Sequence, residues 1–546
     1  MAGDTPDVPP NEIETPAGAT ATIPETQRGI RFWGVFAALC VLAFISALDV
    51  SIIATALPRI TAEIGSGAQF VWIANCFVIS STVLQPMFGQ IADIFGRRYP
   101  LAISILIFGL GSAIGGGSHN VGMLIAGRTI QGVGAGGIYV LIDIVCCDLV
   151  PLRDRGKYLG LMFSGAGVAA ALGPPVGGAL AEADWRWIFW INLPICGLAL
   201  ALLLLFLRPR PRSIDMPWSK ALKDKVDWVG ALLLIPSLFA VLFGLITGGL
   251  QYPWSSWRVV VPLVLGILGW ASFHVHQHFW ASHPSIPSRL FANRTSATAF
   301  ALTFLSSILI QATTYLIPIY FQGVLNTTVL NSGTYFLPYA MGSLFSAVLG
   351  GALLSKFGVY RPVHAAAFAI SAIAFGLFTL LDSGTTTVAW AFFQLIAAAG
   401  TGIAMSTMLP AIMAGLPESD VAVSSAAYSF VRNFGLIWGI TIPGIIFGSV
   451  VDMNLHRISD QGLQDSLRGG AAYAFASEAN QLQDEYPQDV WDQVNDVYAI
   501  ALRAVWWFAI GISILSFLAV AGEEGLELRT ELDTEFGIDE EKKTQG

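Results

Sequence analysis

The sequence predicts an all-α polytopic membrane protein of fourteen transmembrane helices, and three observations carry that reading. The 546 residues are 54% hydrophobic and 12% charged, where a soluble chain carries about 25% charged residues, and the mean hydropathy is +0.65. So much apolar surface has no route out of water except into lipid. The apolar residues also fall into fourteen segments of the roughly 20 residues that a bilayer crossing requires, separated by short charged or Pro/Gly-containing breaks. Finally, lysine and arginine alternate between the breaks as a spanning chain demands.

Taken in order, residues 1–31 carry Pro6, Pro9, Pro10, Pro16 and Pro24 among Thr, Glu and Ala. They lack the basic stretch and short apolar core of a cleaved signal and read as a disordered cytosolic tail. Spans then begin near Phe32, Phe70, Leu101, Val121, Leu159 and Ile188, which makes 32–208 a six-helix half. A cytosolic linker, 209–228, rich in Arg, Pro and Lys, precedes two inserted spans over 229–280, beginning near Val229 and Val259. The second six-helix half, 281–522, has spans beginning near Ala297, Thr334, Val363, Val388, Val421 and Ile500, with a polar, acidic outer loop at 452–498. An acidic cytosolic tail, 523–546, closes the chain.

The net charge of −9 describes these polar pieces, because 23 of the 37 carboxylates fall in the two tails and the outer loop. With the N-terminus placed inside, 20 of the 28 Lys and Arg lie on the cytosolic side, five outside and three within helices, which satisfies the positive-inside rule. Cys40, Cys76, Cys146, Cys147 and Cys196 all lie in apolar stretches, so neither a disulfide framework nor a zinc spacing is implied.

An internal repeat supports a two-half construction. Gly89-Gln-Ile-Ala-Asp93-Ile-Phe-Gly96 ends the second span and Gly351-Ala-Leu-Leu-Ser355-Lys-Phe-Gly358 ends the tenth. Paired halves around a midplane cavity are a transporter arrangement. The informative residues are ionisable groups inside the hydrocarbon, since each is costly and calls for a partner or a wet cavity. They are Asp49 in the first span, Arg128 and Asp143 in the fourth, and Arg432 in the thirteenth. A carboxylate whose surroundings change with helix arrangement can load a proton on one side and release it on the other. The competing reading is that such pairs only fix helix packing.

Around these residues stand ordered motifs: Leu48-Asp49-Val-Ser-Ile-Ile-Ala-Thr-Ala-Leu57-Pro58, Gly89 to Gly96 with Arg97-Arg98, Leu124-Ile-Ala-Gly-Arg128-Thr-Ile-Gln131-Gly132, and Gly167-Val-Ala-Ala-Ala-Leu-Gly173-Pro174-Pro175-Val-Gly177-Gly178. Trp185-Arg-Trp-Ile-Phe-Trp-Ile-Asn192-Leu-Pro194 follows. The set resembles the major facilitator superfamily, specifically its fourteen-helix drug:proton antiporter branch, from about residue 32 to 522. That resemblance implies a proton-coupling role for Arg128, with Asp49 in a matching motif; Asp143 joins them as a proton-coupling candidate because it is a carboxylate inside the hydrocarbon. It implies a conformational latch at Gly89, Asp93, Gly96, Arg97 and Arg98. It also implies the antiporter motif of the fifth span at Gly173, Pro174, Pro175, Gly177 and Gly178, where missing side chains and a missing amide proton give close, pliable packing. The second repeat carries Ser355 where an acid is common, so the two latches are expected to differ.

Weaker signals complete the reading. Gln85, Gln131, Tyr315, Arg432 and Trp438 are candidates for the substrate cavity, with Tyr320, Phe321 and Phe430 as further aromatic surfaces. His274, His276, His278 and His283 include an i, i+4 pair, but no carboxylate or cysteine completes a metal site, and an interfacial polar cluster is expected. Asn326-Thr-Thr is a sequon close to a span. No Gly-x-x-x-x-Gly-Lys-Ser/Thr, Gly-x-Ser-x-Gly or His-Glu-x-x-His sequence occurs, which weighs against a nucleotide-driven pump and a membrane enzyme. The expectation is therefore a proton-gradient-driven exporter of small amphipathic organic molecules, without cofactor or nucleic-acid partner. It is expected to be monomeric and in the plasma membrane, with the vacuolar membrane as the alternative. A siderophore or basic amino-acid transporter of the same fold is the other reading.

Overall fold

A computed structural model describes residues 29–64, 70–207, 218–248, 252–476 and 479–530. In chain order the helices are α1 (Ile30–Ile64), α2 (Phe70–Val83), α3 (Gln85–Phe95), α4 (Arg98–Gly116), α5 (Val121–Leu149), α6 (Leu152–Asp184), α7 (Trp187–Trp190), α8 (Asn192–Phe206), α9 (Trp218–Lys225), α10 (Trp228–Thr247) and α11 (Trp257–Phe279). There follow α12 (Arg294–Gly323), α13 (Val329–Tyr335), α14 (Leu337–Phe357), α15 (Arg361–Phe378), α16 (Thr387–Met413), α17 (Val421–Asn454), α18 (Gln461–Leu467), α19 (Ala472–Phe475), α20 (Ala479–Leu482) and α21 (Gln488–Ala519).

Helix starts are written in the sequence. Asn120, Asp227 and Asn293 cap α5, α10 and α12, each side chain accepting an amide N–H of the first turn at 2.7–2.8 Å. Both repeats end on a glycine in the left-handed region, Gly96 at φ +78° and Gly358 at φ +70°, a conformation that terminates a helix and that side chains resist.

Among the described residues twelve helices are long and apolar enough to cross a membrane, two fewer than the fourteen expected. The difference lies at 70–95 and 152–184. The first segment breaks at Leu84 into α2 and α3, with Pro86 in the first turn of α3. The second, α6, is one continuous helix whose apolar content is diluted by Arg153, Asp154, Arg155 and Lys157 and by its many small residues. Both lie within the bundle, α2 and α3 against α5 and α17, and α6 along α1 and α14.

Packing divides the long helices into two groups. α1, α2, α4, α5, α6 and α8 pack on one another, and so do α12, α14, α15, α16, α17 and α21. The groups meet where α6 lies on α14 and where α3 and α5 lie on α17. The α10–α11 pair leans on α2 and α17 through aromatic contacts, Trp72 against Phe243 at 5.3 Å and Trp270 against Phe434 at 5.3 Å between ring centroids.

Two polar regions differ from the sequence expectation. The segment 452–498 is built rather than loose: α17 runs to Asn454, α21 begins at Gln488 rather than near Ile500, and a cap between them buries Leu463, Leu467, Phe475 and Trp491. Apolar residues spaced among the acids supply this small core. Asn326 lies under the cap, its carbonyl accepting from the Asn480 amide at 2.6 Å and its own side-chain oxygen buried, which disfavours a glycan there.

The acidic tail is likewise not wholly solvated. Glu523 is 1% exposed, its carboxylate 2.8 Å from Nδ1 of the buried His364. The Tyr360 hydroxyl donates to the Glu524 carbonyl and accepts from Leu526 N–H at 3.1 Å. Arg529 donates to the Leu416 carbonyl at 2.8 Å, and its own carbonyl accepts from Arg153 N–H at 3.1 Å. Residues 523–530 thus strap one end of the bundle, tying the second helix group to α6.

Candidate functional site

Two charge clusters lie inside the bundle, and they are built differently. The first belongs to one helix group. Arg128 of α5 donates from Nη1 to Asp49 Oδ2 of α1 at 2.6 Å and to Gln131 Oε1 at 2.6 Å. Gln131 donates in turn to Asp49 Oδ1 at 2.7 Å and to Ser112 Oγ of α4 at 2.8 Å. Asn192, the first residue of α8, donates to Asp49 Oδ1 at 2.9 Å. Asp49, Arg128, Gln131, Asn192 and Ser112 are each 1% exposed or less. The Arg128 guanidinium also lies 4.3 Å from the Phe77 ring centroid. Helix packing puts these groups in register, because glycines allow α5 to approach closely. A β-carbon at Gly132 would stand 2.5 Å from the Phe77 carbonyl oxygen, and one at Gly111 would stand 2.3 Å from the Gln131 nitrogen. Asp49 therefore accepts from three donors on two helices, and both its oxygens are engaged.

The second cluster joins the two groups. Asp143 of α5 accepts from Ser429 Oγ of α17 at 2.9 Å. Arg432, one turn further along α17, is held less well, with its Nη1 3.9 Å from Asp143 Oδ2, beyond hydrogen-bonding distance. Its guanidinium lies 5.2 Å from the Phe163 ring centroid of α6 and 5.3 Å from that of Tyr428. Among the described residues neither Asp143 Oδ1 nor Arg432 Nη1 has a hydrogen-bond partner, although both atoms are buried.

Beyond these clusters the two helix groups are tied together at the end of the bundle that carries Arg153, Arg155 and Lys356. Arg155 of α6, fully buried, pairs with Glu418 at 2.5 Å across the groups. Arg153 donates to the Ser355 carbonyl at 2.7 Å and the Lys356 carbonyl at 2.9 Å, and the Ser355 hydroxyl donates to Asp154. Backbones touch at both repeats. A β-carbon at Gly89 would stand 2.7 Å from that of Ala426, and one at Gly351 would stand 2.1 Å from the Gly156 carbonyl oxygen.

The expected latch residues lie at this end. Arg97 donates to Asp93 at 3.1 Å, to the Ala92 carbonyl at 2.7 Å and to Asp148 of α5 at 2.7 Å. These partners belong to its own helix group. Arg98 donates to the Leu204 carbonyl at 2.8 Å. In α6, a β-carbon at Gly173 would stand 2.3 Å from that of Ser51 on α1, and Gly177 is buried. Pro174, Pro175 and Gly178 lie in the same helix, their side chains outside the described ones.

The cavity candidates separate. Gln131 is committed to the first cluster and lines no open space. Tyr320 and Phe321 are buried within the second helix group, Phe321 against Trp390 at 4.9 Å, and Phe430 is buried as well. Gln85 is wholly buried, and neither of its amide atoms has a partner among the described residues. The indole nitrogen of Trp438 is also unpartnered, and Tyr315 is 37% exposed. No group of three or more His, Cys, Asp or Glu able to hold a metal ion occurs among the described residues.

Several participants were not singled out from the sequence. Asn192 sits within a quoted motif, and its place in an apolar run was a usable signal. Asp148 and Arg155, at the junction of α5 and α6, and Glu418, in the turn before α17, carry no local pattern that marks them. Ser112 and Ser429 carry no distinguishing signal.

Residues 39–440 match the Major Facilitator Superfamily. The chain is 44% identical over 516 residues to the MFS efflux transporter aclA of Aspergillus oryzae, covering 94% of this chain and 92% of the relative. It is 41% identical to the efflux pump FUS6 of Gibberella fujikuroi, covering 95% and 93%. It is 42% identical to the acurin A biosynthesis cluster MFS-type transporter of Aspergillus aculeatus, covering 94% of each. Among solved structures, the human organic anion transporter MFSD10 superposes with a TM-score of 0.55 at 14% identity, covering 89% of this chain and 99% of that one. Helical bundle, paired groups, motifs and relatives agree: the chain belongs to the major facilitator superfamily and is a membrane transporter of small molecules, not an enzyme.

Proposed function

We propose that the protein is a proton-coupled antiporter that exports small amphipathic organic molecules by alternating access, with its basic end facing the cytosol and shut in the conformation described. The observation that carries this reading is the Asp143–Arg432 pair, a buried acid and base on opposite sides of the interface that must part when the end opens. Relatives named as efflux transporters and pumps, one of them from a biosynthetic cluster, support the export reading, and we place the protein in the plasma membrane.

In this reading Asp143 carries the proton, while Asp49 and Arg128 hold the first helix group in its charged, rigid form and set the field in which Asp143 works. Protonating Asp49 would displace donors and strand Arg128 without its counterion, an uncompensated buried charge costing about 3–5 kcal/mol. Asp143 loses far less, having one serine donor and a loosely held arginine. Arg97, with Asp93 and Asp148, stiffens the junction of α3 and α5 so that the shut end closes as one body.

The test is solute efflux from vesicles with an imposed pH gradient, using purified protein. Asp143→Asn is expected to abolish the response to the gradient while folded protein still reaches the membrane. Gradient-driven efflux at the unsubstituted rate by Asp143→Asn would remove Asp143 from the mechanism.

A further inference from the structure

The second cluster presents an acceptor and a donor side by side, and neither makes a hydrogen bond among the described residues. Asp143 Oδ1 is a buried carboxylate oxygen and Arg432 Nη1 a buried guanidinium nitrogen, each without a hydrogen-bond partner among the described residues. They belong to side chains that approach within 3.9 Å. Leaving such atoms unmatched is costly, so they are not filler. A third unmatched group comes from a different helix. Gln85 is buried with both amide atoms unpartnered, one turn from Gly89 on the same face of α3, and Gly89 abuts Ala422 and Ala426 of α17. The neighbouring surface is aromatic, with the Phe163 and Tyr428 rings both within 5.3 Å of the guanidinium.

From this we infer that Asp143 and Arg432 form the polar recognition point of the transport site and take a neutral ligand edge on which a hydrogen-bond donor stands next to an acceptor, as in a lactam or other cis-amide on an aromatic body. The ligand N–H donates to Asp143 Oδ1, and its carbonyl accepts from Arg432. The preference is for a neutral edge because the two protein charges already balance, and a charged ligand would leave one of three charges uncompensated in a buried site. A proton on Oδ1 turns that atom from acceptor into donor and sets it against the ligand N–H, which links this recognition to exchange against protons. The titratable and charged groups interacting with Asp143 are Arg432 and Tyr428 on α17 and Cys146 and Cys147 on its own helix. The inference rests on the exporter reading above and specifies its substrate class.

Equilibrium binding to the purified, full-length protein in lipid nanodiscs tests it, with quinolin-2-one and its N-methyl derivative as probes, since the methyl group removes the donor and keeps the carbonyl and rings. The unsubstituted protein should bind the N–H lactam about tenfold more tightly, the effect of one hydrogen bond to a charged group. Asp143→Leu should erase that ratio while still binding the N-methyl lactam, which also shows that the variant is folded. Arg432→Met should weaken both lactams and leave the ratio in place. A ratio near one in the unsubstituted protein, absence of binding by either lactam, or an unchanged ratio in Asp143→Leu would each overturn the inference. Because binding needs no gradient, a normal lactam ratio without gradient-driven efflux would sink the antiport reading alone, and the reverse outcome would sink this inference alone.

Discussion

The Asp49–Arg128 and Asp143–Arg432 pairs have the same composition, an aspartate and an arginine deep in the bundle, yet one is saturated and the other is not. Asp49 collects Arg128, Gln131 and Asn192 at 2.6–2.9 Å within a single helix group. Asp143 has Ser429 at 2.9 Å and an arginine at 3.9 Å, reached across the interface. Fully matched buried networks rigidify, while partly matched ones are where an arrangement can change. The difference teaches that a buried charge is not by itself a moving part: its role follows from whether its partners travel with it.

The largest effect that would break this comparison is on stability. Arg128→Ala should cost about 3–5 kcal/mol, because Asp49 is left as a buried charge without its counterion, whereas Asp143→Asn should cost less, because the Arg432 guanidinium it leaves stands 3.9 Å away and rests against the Phe163 and Tyr428 rings. Thermal unfolding of the two purified variants in one detergent compares them. Equal losses would mean that the two clusters are held alike.

Much of the architecture was legible in the sequence, because lipid enforces apolar length and charge asymmetry so strictly. Asp49, Arg128 and Asp143 stand out as charges in apolar runs, and Gly96 and Gly358 as helix ends. What was not legible depends on distant partners. Asp49 and Asp143 look equivalent until α8 supplies Asn192 to one and α17 supplies Ser429 to the other. The pin between Arg155 and Glu418 joins residues 263 apart, which no local pattern reveals. Glu523 reads as one more tail acid, and only the fold brings it to His364. The fourteen-span expectation exceeds the twelve clear helices because the second segment breaks at Leu84 into α2 and α3, and α6 exchanges apolar side chains for the close packing of Gly156 and Gly160 on α14.

Smaller effects sharpen the contrast between fixed and separable contacts. Gly351→Ala must push α14 off α6, where the β-carbon has 2.1 Å to the Gly156 carbonyl oxygen, and overpacking of this kind costs about 1–3 kcal/mol, charged here to the shut conformation. Gly89→Ala meets a side-chain methyl at 2.7 Å and should shift the balance less. Spin-label distances across the basic end should lengthen in the order unsubstituted, Gly89→Ala, Gly351→Ala. The same order is expected of maleimide reactivity at Cys147, which lies buried behind Arg155 and Glu418.

The most local expected effect concerns the tail strap. Burial pushes the Tyr360 phenol above its ordinary value, so it stays a donor to the Glu524 carbonyl throughout the physiological range, and stability should show no pH dependence from this group between pH 6 and 9. Tyr360→Phe removes that bond and the one accepted from Leu526, at about 1 kcal/mol each. Protease release of residues after 522 should rise in the variant. An unchanged cleavage rate would mean that Glu523 and Arg529 hold the strap without Tyr360.

The central claim is that the loosely matched aspartate, not the saturated one, takes the proton. Infrared difference spectra of the purified protein between acid and neutral pH report it directly, since a buried carboxylic acid gives its own carbonyl band. The account predicts a band that disappears in Asp143→Asn and persists in Asp49→Asn. A band lost in Asp49→Asn and kept in Asp143→Asn would contradict it.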